Sequence, residues 1–357
     1  MRRIILLLTI GIFFAQVGEG ADKWLTVRSR NFFLVGNASE GAIKRVGRNL
    51  EEFRAAFTSL FPGISERDSV PTTVMVFRDD SSFRAYKPLY QGKPANVSGY
   101  FQQGPDVNFI ALTGEVQTPH VIYHEYVHSL TRDGKSRLPL WASEGIAELY
   151  STLETQSGGK QVLLGKIIEG HIATLNQYPL LSLETFFGVE HGSPFYNEGT
   201  KQGIFYAQSW ALIHYLTFGA QNARQGQLSK YVTGLATGKS SDDSFREAFQ
   251  TDYARMEEEL RNYMQGRIAW PAVRFKLDDK LDIEQEMQVS PLSEARAQFH
   301  LGDLLLHTGR LEEAEAQIHK AITLEPEFPG NYASMGFLRV RQKNYNDALT
   351  FLSRGCG

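Results

Sequence analysis

Two short motifs constrain this 357-residue chain more than any other feature, and fifteen residues lie between His128 of the first and Glu144 of the second. The first is the HExxH pattern His124-Glu125-Tyr126-Val127-His128, and the second is Trp141-Ala-Ser-Glu144-Gly-Ile-Ala-Glu148. Residues four apart on a helix lie one turn apart on the same face. A helix through the first motif would therefore present both imidazoles to one point, and a second helix could bring a carboxylate to the same point.

The residues around the motifs are typical of two helices joined by a short polar turn. The half-apolar stretch 121–130 predicts a helix that is partly buried in a domain core. Thr118 and Pro119 suit its N-cap and first turn. Asp133-Gly134 suits its end, and Pro139 suits the start of the next helix. This turn would return the second motif to the histidines.

This spacing predicts a metal site. Zinc accepts histidine nitrogen and carboxylate oxygen, and a catalytic zinc site needs three protein ligands plus one open position. We therefore predict His124, His128 and Glu144 as ligands of Zn²⁺, with Glu125 beside the water that the ion holds. A five-residue motif also arises by chance, so an ordinary core helix is the alternative.

A second carboxylate and a glycine follow Glu144. Glu148 lies one turn further along the same face and is predicted to accept a hydrogen bond from the free ring N–H of His124 or His128. Ligating histidines usually have such a partner, which fixes their orientation; two solvated surface carboxylates are the alternative. Gly145 costs about 1 kcal/mol relative to alanine inside a helix. We therefore expect this helix to approach the histidine helix closely.

The two motifs together resemble those of a known family. HEYVH followed by LPLWASEGIAELY is similar to the gluzincins, the thermolysin-like zinc metallopeptidases of the peptidase MA superfamily, over roughly residues 22–266. The closest resemblance is to the bacterial branch with the second motif P-x-W-x-x-E-G-x-A-E. It implies an α+β thermolysin-like zincin domain, with an N-terminal mixed sheet followed by mainly helical structure, that hydrolyses peptide bonds. It also implies the zinc ligands His124, His128 and Glu144, the general base Glu125, and Glu148 behind the ligands.

Peptide hydrolysis through a tetrahedral oxyanion needs a hydrogen-bond donor opposite the metal. We predict Tyr206, near the start of an apolar helix expected at 203–218, because similar enzymes often place a tyrosine downstream of the glutamate ligand. His214, two turns along the same helix, is the competing residue. An ordinary core tyrosine with a hydrogen-bonded hydroxyl is the alternative for Tyr206.

The remaining histidines near the motifs are left out of the ligand set. His120 precedes His124 by four residues, but it is expected at the exposed start of the helix. His171 and His191 have no partner pattern and are expected to be ordinary residues.

The N-terminal residues predict export. Met1-Arg2-Arg3, an apolar run through Val17 and the small residues before position 22 are typical of a signal peptide at 1–21, too short to span a membrane comfortably. An uncleaved anchor is the alternative. Cys356 is the sole cysteine, so no internal disulfide forms, which suits a bacterial periplasmic or secreted protein. The formal net charge of −3 gives no indication of a nucleic acid or membrane surface as partner.

The rest of the first domain, 22–266, alternates short strands and helices. Strands are predicted at 25–27, 32–35 and 74–77, and a hairpin at 98–112 around Gly104-Pro105. An edge strand before the zinc helix pairs with the substrate backbone in gluzincins, and this hairpin resembles that element; an ordinary core hairpin is the alternative. Helices are predicted at 42–60 and near 166–176, 203–218, 223–236 and 244–266.

A second unit, 291–357, follows a linker or small strand pair at 267–290. Gly302 and Gly336 are 34 residues apart, as are Ala314 and Ala348, and Pro326 ends the first copy. This period resembles tetratricopeptide repeats, helical hairpins that stack and can bind a protein partner. Since about two copies are too few for independent stability, either the unit packs on the first domain or the sequence is cut short.

Two classes of function therefore compete. The first is an exported zinc metallopeptidase that acts on a peptide or protein substrate. The second is a scaffold protein that binds partners through the repeats and carries a non-catalytic zincin domain. A zinc hydrolase acting on another bond also fits the motif.

Overall fold

The computed structural model describes residues 23–60, 70–116, 120–131, 138–156, 161–197, 199–219, 223–265, 270–276 and 287–355. The strands are β1 Trp24–Arg28, β2 Phe32–Gly36, β3 Thr72–Phe77, β4 Leu89–Tyr90, β5 Lys93–Pro94, β6 Gly99–Gln102, β7 Asn108–Thr113, β8 Glu154–Gln156, β9 Gln161–Leu164, β10 Val273–Lys276 and β11 Gln288–Leu292. The helices are α1 Glu40–Leu60, α2 Asp80–Phe83, α3 His120–Thr131, α4 Leu140–Ser151, α5 Glu169–Gln177, α6 Leu183–Phe187, α7 Pro194–Asn197, α8 Gly199–Phe218, α9 Gln227–Ala236, α10 Ser241–Phe249, α11 Tyr253–Gln265, α12 Glu294–His307, α13 Leu311–Leu324, α14 Pro329–Arg341 and α15 Tyr345–Gly355.

The N-terminal strands form a mixed six-stranded sheet. Its order is β11-β1-β2-β3-β7-β6, with β2, β3 and β7 parallel to one another and the other pairs antiparallel. A second sheet contains β10-β9-β8, and β4 pairs with β5. Helices fill most of the chain after β7, so the predicted α+β class is confirmed.

Helices cover both faces of the main sheet. Alternate residues of a strand point to opposite faces, and here both faces are apolar. Leu34, Val74 and Ile110 face one core together with residues of α1 and α3. Val35 and Met75, their neighbours in sequence, face another core with residues of α12. The sheet thus separates the helices of the HExxH motif from the C-terminal helices.

Helix α1 illustrates how the apolar pattern positions its element. The expected stripe is buried along its whole length, and its members are Ile43, Val46, Leu50, Phe53 and Phe57. Side chains spaced three and four apart form one face of a helix. The Phe53 ring stacks on that of Tyr123 in α3, with centroids 4.0 Å apart. Helix α1 therefore supports the helix that carries the HExxH motif.

The C-terminal unit consists of two helical hairpins, α12–α13 and α14–α15, and its helix α12 packs on the main sheet. Ala297, Leu301 and Leu304 of α12 share a core with sheet residues. A Cβ on Gly302 would lie 2.8 Å from Ile318, and one on Gly336 would lie 2.6 Å from Leu352. Both repeated glycines therefore lie at close helix contacts, and α12 shares a core with the sheet of the first domain.

Several boundaries differ from those expected. The helix expected at 244–266 is two helices, because Gln250 adopts a left-handed conformation (φ 52°) that ends α10. The helix expected near 223–236 begins at Gln227. In the region 267–290 the two described strands do not pair with each other: β10 pairs with β9, and β11 pairs with β1. β11 also crosses the expected boundary at 291, since it belongs to the main sheet.

Some predictions concern residues outside those described. They are the signal peptide at 1–21, the cap at Thr118 and Pro119, the helix end at Asp133-Gly134, and Cys356. Within the described ranges, no helix combines the length and apolar character needed to cross a membrane.

Candidate metal centre

The three predicted ligands lie together on two packed helices. α3 carries His124 and His128 one turn apart, and α4, which packs against α3, carries Glu144. The Nε2 atoms of the two histidines are 3.1 Å apart. Glu144 Oε2 lies 3.3 Å from each of these nitrogen atoms. Two nitrogen atoms and one oxygen atom therefore converge on one point.

The oxygen that faces the histidines has no ordinary hydrogen-bond partner among the described residues. Glu144 Oε2 is buried and lacks a partner of acceptable geometry. A buried polar atom without a partner costs free energy. Ligand atoms about 2.0–2.1 Å from a tetrahedral zinc are about 3.3 Å from one another, close to the 3.1 and 3.3 Å measured between these three atoms. The residues therefore fit a zinc ion.

A second layer of polar side chains holds the histidines from behind. The other ring nitrogen of His124, Nδ1, lies 3.5 Å from Glu148 Oε1. The second oxygen of Glu148 lies 3.1 Å from Nε2 of His171. His128 Nδ1 lies 3.1 Å from the hydroxyl of Ser143. The structure thus brings Glu148 to His124, as expected, and gives His128 a different partner.

Two tyrosines line the opposite side of the cluster. The hydroxyl of Tyr196 on α7 donates a hydrogen bond of 3.1 Å to Glu144 Oε1. The rings of Tyr206 and Tyr196 lie parallel to each other, with centroids 6.0 Å apart. The Tyr206 ring lies over that of His124, with centroids 6.2 Å apart. Tyr206 is therefore at the site, and Tyr196 joins it there.

The electrostatics of the cluster suit a cation. Burial alone would raise the pKa of Glu144, but the imidazoles of His124 and His128 outweigh it and lower that pKa to about 2. Burial opposes the charged form of His124, yet the carboxylates of Glu144 and Glu148 raise its pKa above the ordinary value. Burial, reinforced by the charge of Glu144, raises the pKa of Tyr206 far above that of free tyrosine. Glu144 is thus a carboxylate and Tyr206 a neutral donor near pH 7.

Two open cavities meet at the cluster. One has a volume of about 870 Å³ and extends along α5 past His171. The other has a volume of about 660 Å³ and extends past Tyr196. His124, Glu125 and Tyr206 line both cavities. The side chain of Glu125 is therefore accessible to molecules from either side of the ligands.

Gly145 permits a close helix contact, but the partner helix is not the expected one. A Cβ at this position would lie 2.3 Å from the carbonyl oxygen of Ser209 and 2.6 Å from Ile213, both on α8. The expectation that Gly145 faces the histidine helix is therefore wrong. Neighbouring residues of a helix point in different directions, so Glu144 faces α3 while Gly145 faces α8.

His214, the competing oxyanion donor, lies away from the cluster. Its side chain is fully buried, and its ring nitrogens contact the Tyr263 hydroxyl at 2.7 Å and the Gly165 carbonyl at 3.0 Å. Burial lowers its pKa to about 4. His214 is a structural residue, and the prediction of a possible oxyanion role for it is not supported by its position.

The three other histidines considered in the sequence analysis differ in their contacts with the site. His120 is exposed and contacts the Ser151 carbonyl through Nδ1 at 2.7 Å, in keeping with its exclusion from the ligands. His191 is exposed and its ring contacts that of Tyr196. His171 was expected to be ordinary but contacts Glu148 beside the site. No spacing pattern near His171 could have indicated this contact, because α5 and α4 meet only in the folded protein.

The predicted hairpin lies at the edge of the main sheet. β6 is the last strand in the order and packs beside α3, where a Cβ on Gly99 would lie 2.9 Å from Ile122. This is the position that strand addition by a peptide requires. The described residues that line the two cavities come from other elements.

Comparison with known proteins gives one finding. Residues 120–242 match the model of a family described as a protein of unknown function, DUF1570. The match begins at the first residue of α3 and ends in α10, so it includes every residue of the cluster described above. No curated protein matches this chain.

Proposed function

We propose that this chain is a zinc metallopeptidase of the gluzincin type, with a thermolysin-like zincin domain followed by tetratricopeptide-like helical hairpins. One observation carries the proposal. The ligand atoms of His124, His128 and Glu144 have the separations of a tetrahedral zinc site. Among the described residues, the buried Oε2 atom of Glu144 has no hydrogen-bond partner. Glu125 lies between the two histidines in sequence and lines both cavities that meet there.

Each residue then has a distinct role. Zinc, when bound, supplies a water molecule of lowered pKa and a Lewis acid for the substrate carbonyl. Glu125 accepts a proton from the attacking water and delivers it to the leaving amine. Tyr206 donates a hydrogen bond to the oxyanion that develops on the substrate. Glu148 holds the ring of His124 through its Nδ1 atom.

Metal analysis of the purified protein tests the proposal. We expect about one zinc ion per chain, as a single cluster of three ligands implies. Glu144→Ala should lose the ion because it removes a ligand. Glu125→Gln should keep the ion, since Glu125 is not a ligand, and should lose peptide cleavage. Cleavage of a mixed peptide library should stop on addition of a chelator.

The alternatives give different results. A wild-type protein without zinc would indicate a non-catalytic domain. A protein that binds zinc but leaves every peptide in the library intact would indicate a hydrolase of another bond. Glu125→Gln protein that cleaves at the wild-type rate would remove the general-base role.

A second function, binding of a protein partner, is favoured by the surface of the last three helices. Five large apolar side chains there are 40–68% exposed: Leu324, Phe337, Val340, Tyr345 and Leu349. Several large exposed apolar side chains on one small unit are a feature of interaction surfaces. Phe337→Ser should lose any partner recovered by the wild-type chain while its zinc content stays unchanged; equal recovery would count against this binding role.

Export to the periplasm or medium, indicated by residues 1–21, belongs to the same proposal, and detection of the intact protein in the cytoplasm would contradict it.

A further inference from the structure

The two oxygen atoms of Glu144 have different environments. Oε2 faces the Nε2 atoms of His124 and His128 at 3.3 Å and has no hydrogen bond within the described part of the chain. Oε1 accepts the hydrogen bond of 3.1 Å from the Tyr196 hydroxyl. One oxygen is thus directed at the metal position, and the other is held by a protein donor.

Tyr196 is fixed by aromatic contacts on several sides. Its ring lies parallel to that of Tyr206, with centroids 6.0 Å apart, and meets the ring of Phe205 edge to face at 6.2 Å. The ring of His191 contacts it at 5.2 Å. A tyrosine combines rigid apolar packing with a polar tip that finds a partner when buried. The direction of the Tyr196 hydroxyl is therefore set by packing and not by the carboxylate alone.

A carboxylate ligand needs such a partner for a physical reason. The terminal torsion of a glutamate is broad, so a free carboxylate can turn and present both oxygens to a metal ion. A catalytic zinc site must keep a position open beside its three ligands. A donor that occupies one carboxylate oxygen restricts the metal to the other oxygen.

We propose that Tyr196 is the positioning residue that makes Glu144 a one-oxygen ligand and that keeps the open coordination position free. The proposal rests on the proposed zinc function. The Tyr196 ring also lies parallel to that of Tyr206, so the same residue contacts both the carboxylate ligand and the proposed oxyanion donor. Tyr196 does not touch the reacting atoms in this role.

Tyr196→Phe tests the role because it removes the hydroxyl and keeps the ring. Loss of a hydrogen bond to a metal ligand typically weakens metal binding about 10–100-fold. We expect this loss in the zinc dissociation constant, measured by competition with a chromophoric chelator. Tyr206→Phe is the matched control: it removes the neighbouring hydroxyl, which does not contact Glu144, so the zinc dissociation constant should stay within about 3-fold of wild type while kcat falls.

Cobalt(II) provides a readout that simple destabilisation would not change. Cobalt bound to the wild-type protein should give the intense visible spectrum of a four-coordinate ion. In Tyr196→Phe both oxygens of Glu144 can bind, so the spectrum should weaken as the site moves toward five-coordination. The melting temperature of the metal-free variant should stay close to that of wild type, because the ring packing is kept.

The outcomes separate the two proposals. If Tyr196→Phe matches wild type in both zinc affinity and cobalt spectrum, while Glu144→Ala loses the metal, the role of Tyr196 is overturned and the zinc site stands. An equal loss of zinc affinity in Tyr206→Phe would also overturn it, because the effect would then be general to the aromatic pair. If the wild-type chain binds neither zinc nor cobalt, the proposed function itself is removed, and the role of Tyr196 with it.

Discussion

The helix pair α3–α4 and the helix pair α12–α13 are built alike but are used differently. In each pair consecutive helices pack together, and a glycine lies at a close helix contact: Gly145 in α4, which meets α8, and Gly302 in α12, which meets α13. The side chains that α12 buries against the sheet are apolar. The side chains that α3 and α4 direct toward each other include Glu144, a buried carboxylate whose Oε2 atom has no hydrogen bond to any described residue.

This difference concerns the stability that each helix pair contributes to the fold. Burial of apolar surface stabilises a fold at roughly 25 cal/mol per Å², and α12 contributes this on one face of the sheet. A buried polar atom without a partner costs free energy instead. A cluster of such groups is therefore a stronger indication of a ligand than an equally buried apolar contact. Six substitutions, in four experiments, can break or sharpen this comparison.

The largest effect is expected at Glu125. Glu125→Gln removes the base but keeps the size of the side chain, and loss of a general base typically costs a factor of about 10²–10⁴ in rate. We expect kcat/KM for peptide cleavage to fall by about 10³-fold, which is about 4 kcal/mol. Steady-state kinetics measures this. The free energy of unfolding should stay within about 0.5 kcal/mol of wild type, as expected of a substitution away from the core. A large loss of stability would mean that Glu125 is structural.

In the C-terminal helical unit, substitution of a buried residue is expected to lower stability and to leave zinc affinity unchanged. Leu301 of α12 is 2% exposed against the sheet, and removal of a buried leucine side chain costs about 2–5 kcal/mol. Leu301→Ala should lower the free energy of unfolding by about 3 kcal/mol in urea denaturation. Leu349→Ala is the matched control, because Leu349 is 68% exposed, and should change it by less than about 0.5 kcal/mol. Neither change should alter zinc affinity; a loss of zinc in Leu301→Ala would link the two regions.

The two glycines provide a direct comparison of the helix pairs. Added methyl groups would meet Ser209 O at 2.3 Å in Gly145→Ala and Ile318 at 2.8 Å in Gly302→Ala. Overpacking costs about 1–3 kcal/mol, and we expect a loss of unfolding free energy in that range for both variants. Only Gly145→Ala should also weaken zinc binding, because displacement of α4 moves Glu144. Equal zinc affinities in the two variants would show that the site tolerates movement of α4.

The smallest expected effect is a pH-dependent change in the free energy of unfolding. Burial raises the pKa of Asp303 in α12 to about 6, although His307 lowers it and Asp106 faces the same group. Its folded pKa exceeds the value of 3.8 that serves for the unfolded chain, so ionisation penalises the folded state. The penalty begins near pH 4 and is complete somewhat above pH 6.

Asp303→Asn removes that ionisation. Relative to wild type, the variant should gain on the order of 1–2 kcal/mol in unfolding free energy between pH 4 and pH 7, a figure reduced for the partial exposure of the side chain. Urea denaturation of both proteins at pH 4 and at pH 7 measures this gain. A constant difference between the two proteins across this range would contradict the raised pKa.

Much of the structure follows from local patterns in the sequence. The apolar stripe of α1 and the alternating residues of β2 and β3 reflect short-range periodicity, and these elements lie close to the bounds expected for them. The spacing of His124 and His128 sets both imidazoles on one helical face for the same reason. Gly145 was recognised as a contact glycine, but its partner helix was not, because α8 begins more than fifty residues later.

What the tertiary structure alone decided is which distant residues meet at the cluster. Tyr196 and His171 carry no local signal, since their partners Glu144 and Glu148 lie on another helix and the contacts form only when α4, α5, α7 and α8 pack together. The same holds for α12, whose periodic sequence specifies a helix but not the sheet face that it covers. Helix and strand periods are encoded by neighbouring residues, whereas the choice among apolar surfaces and the pairing of buried polar groups depend on the packing of the whole chain.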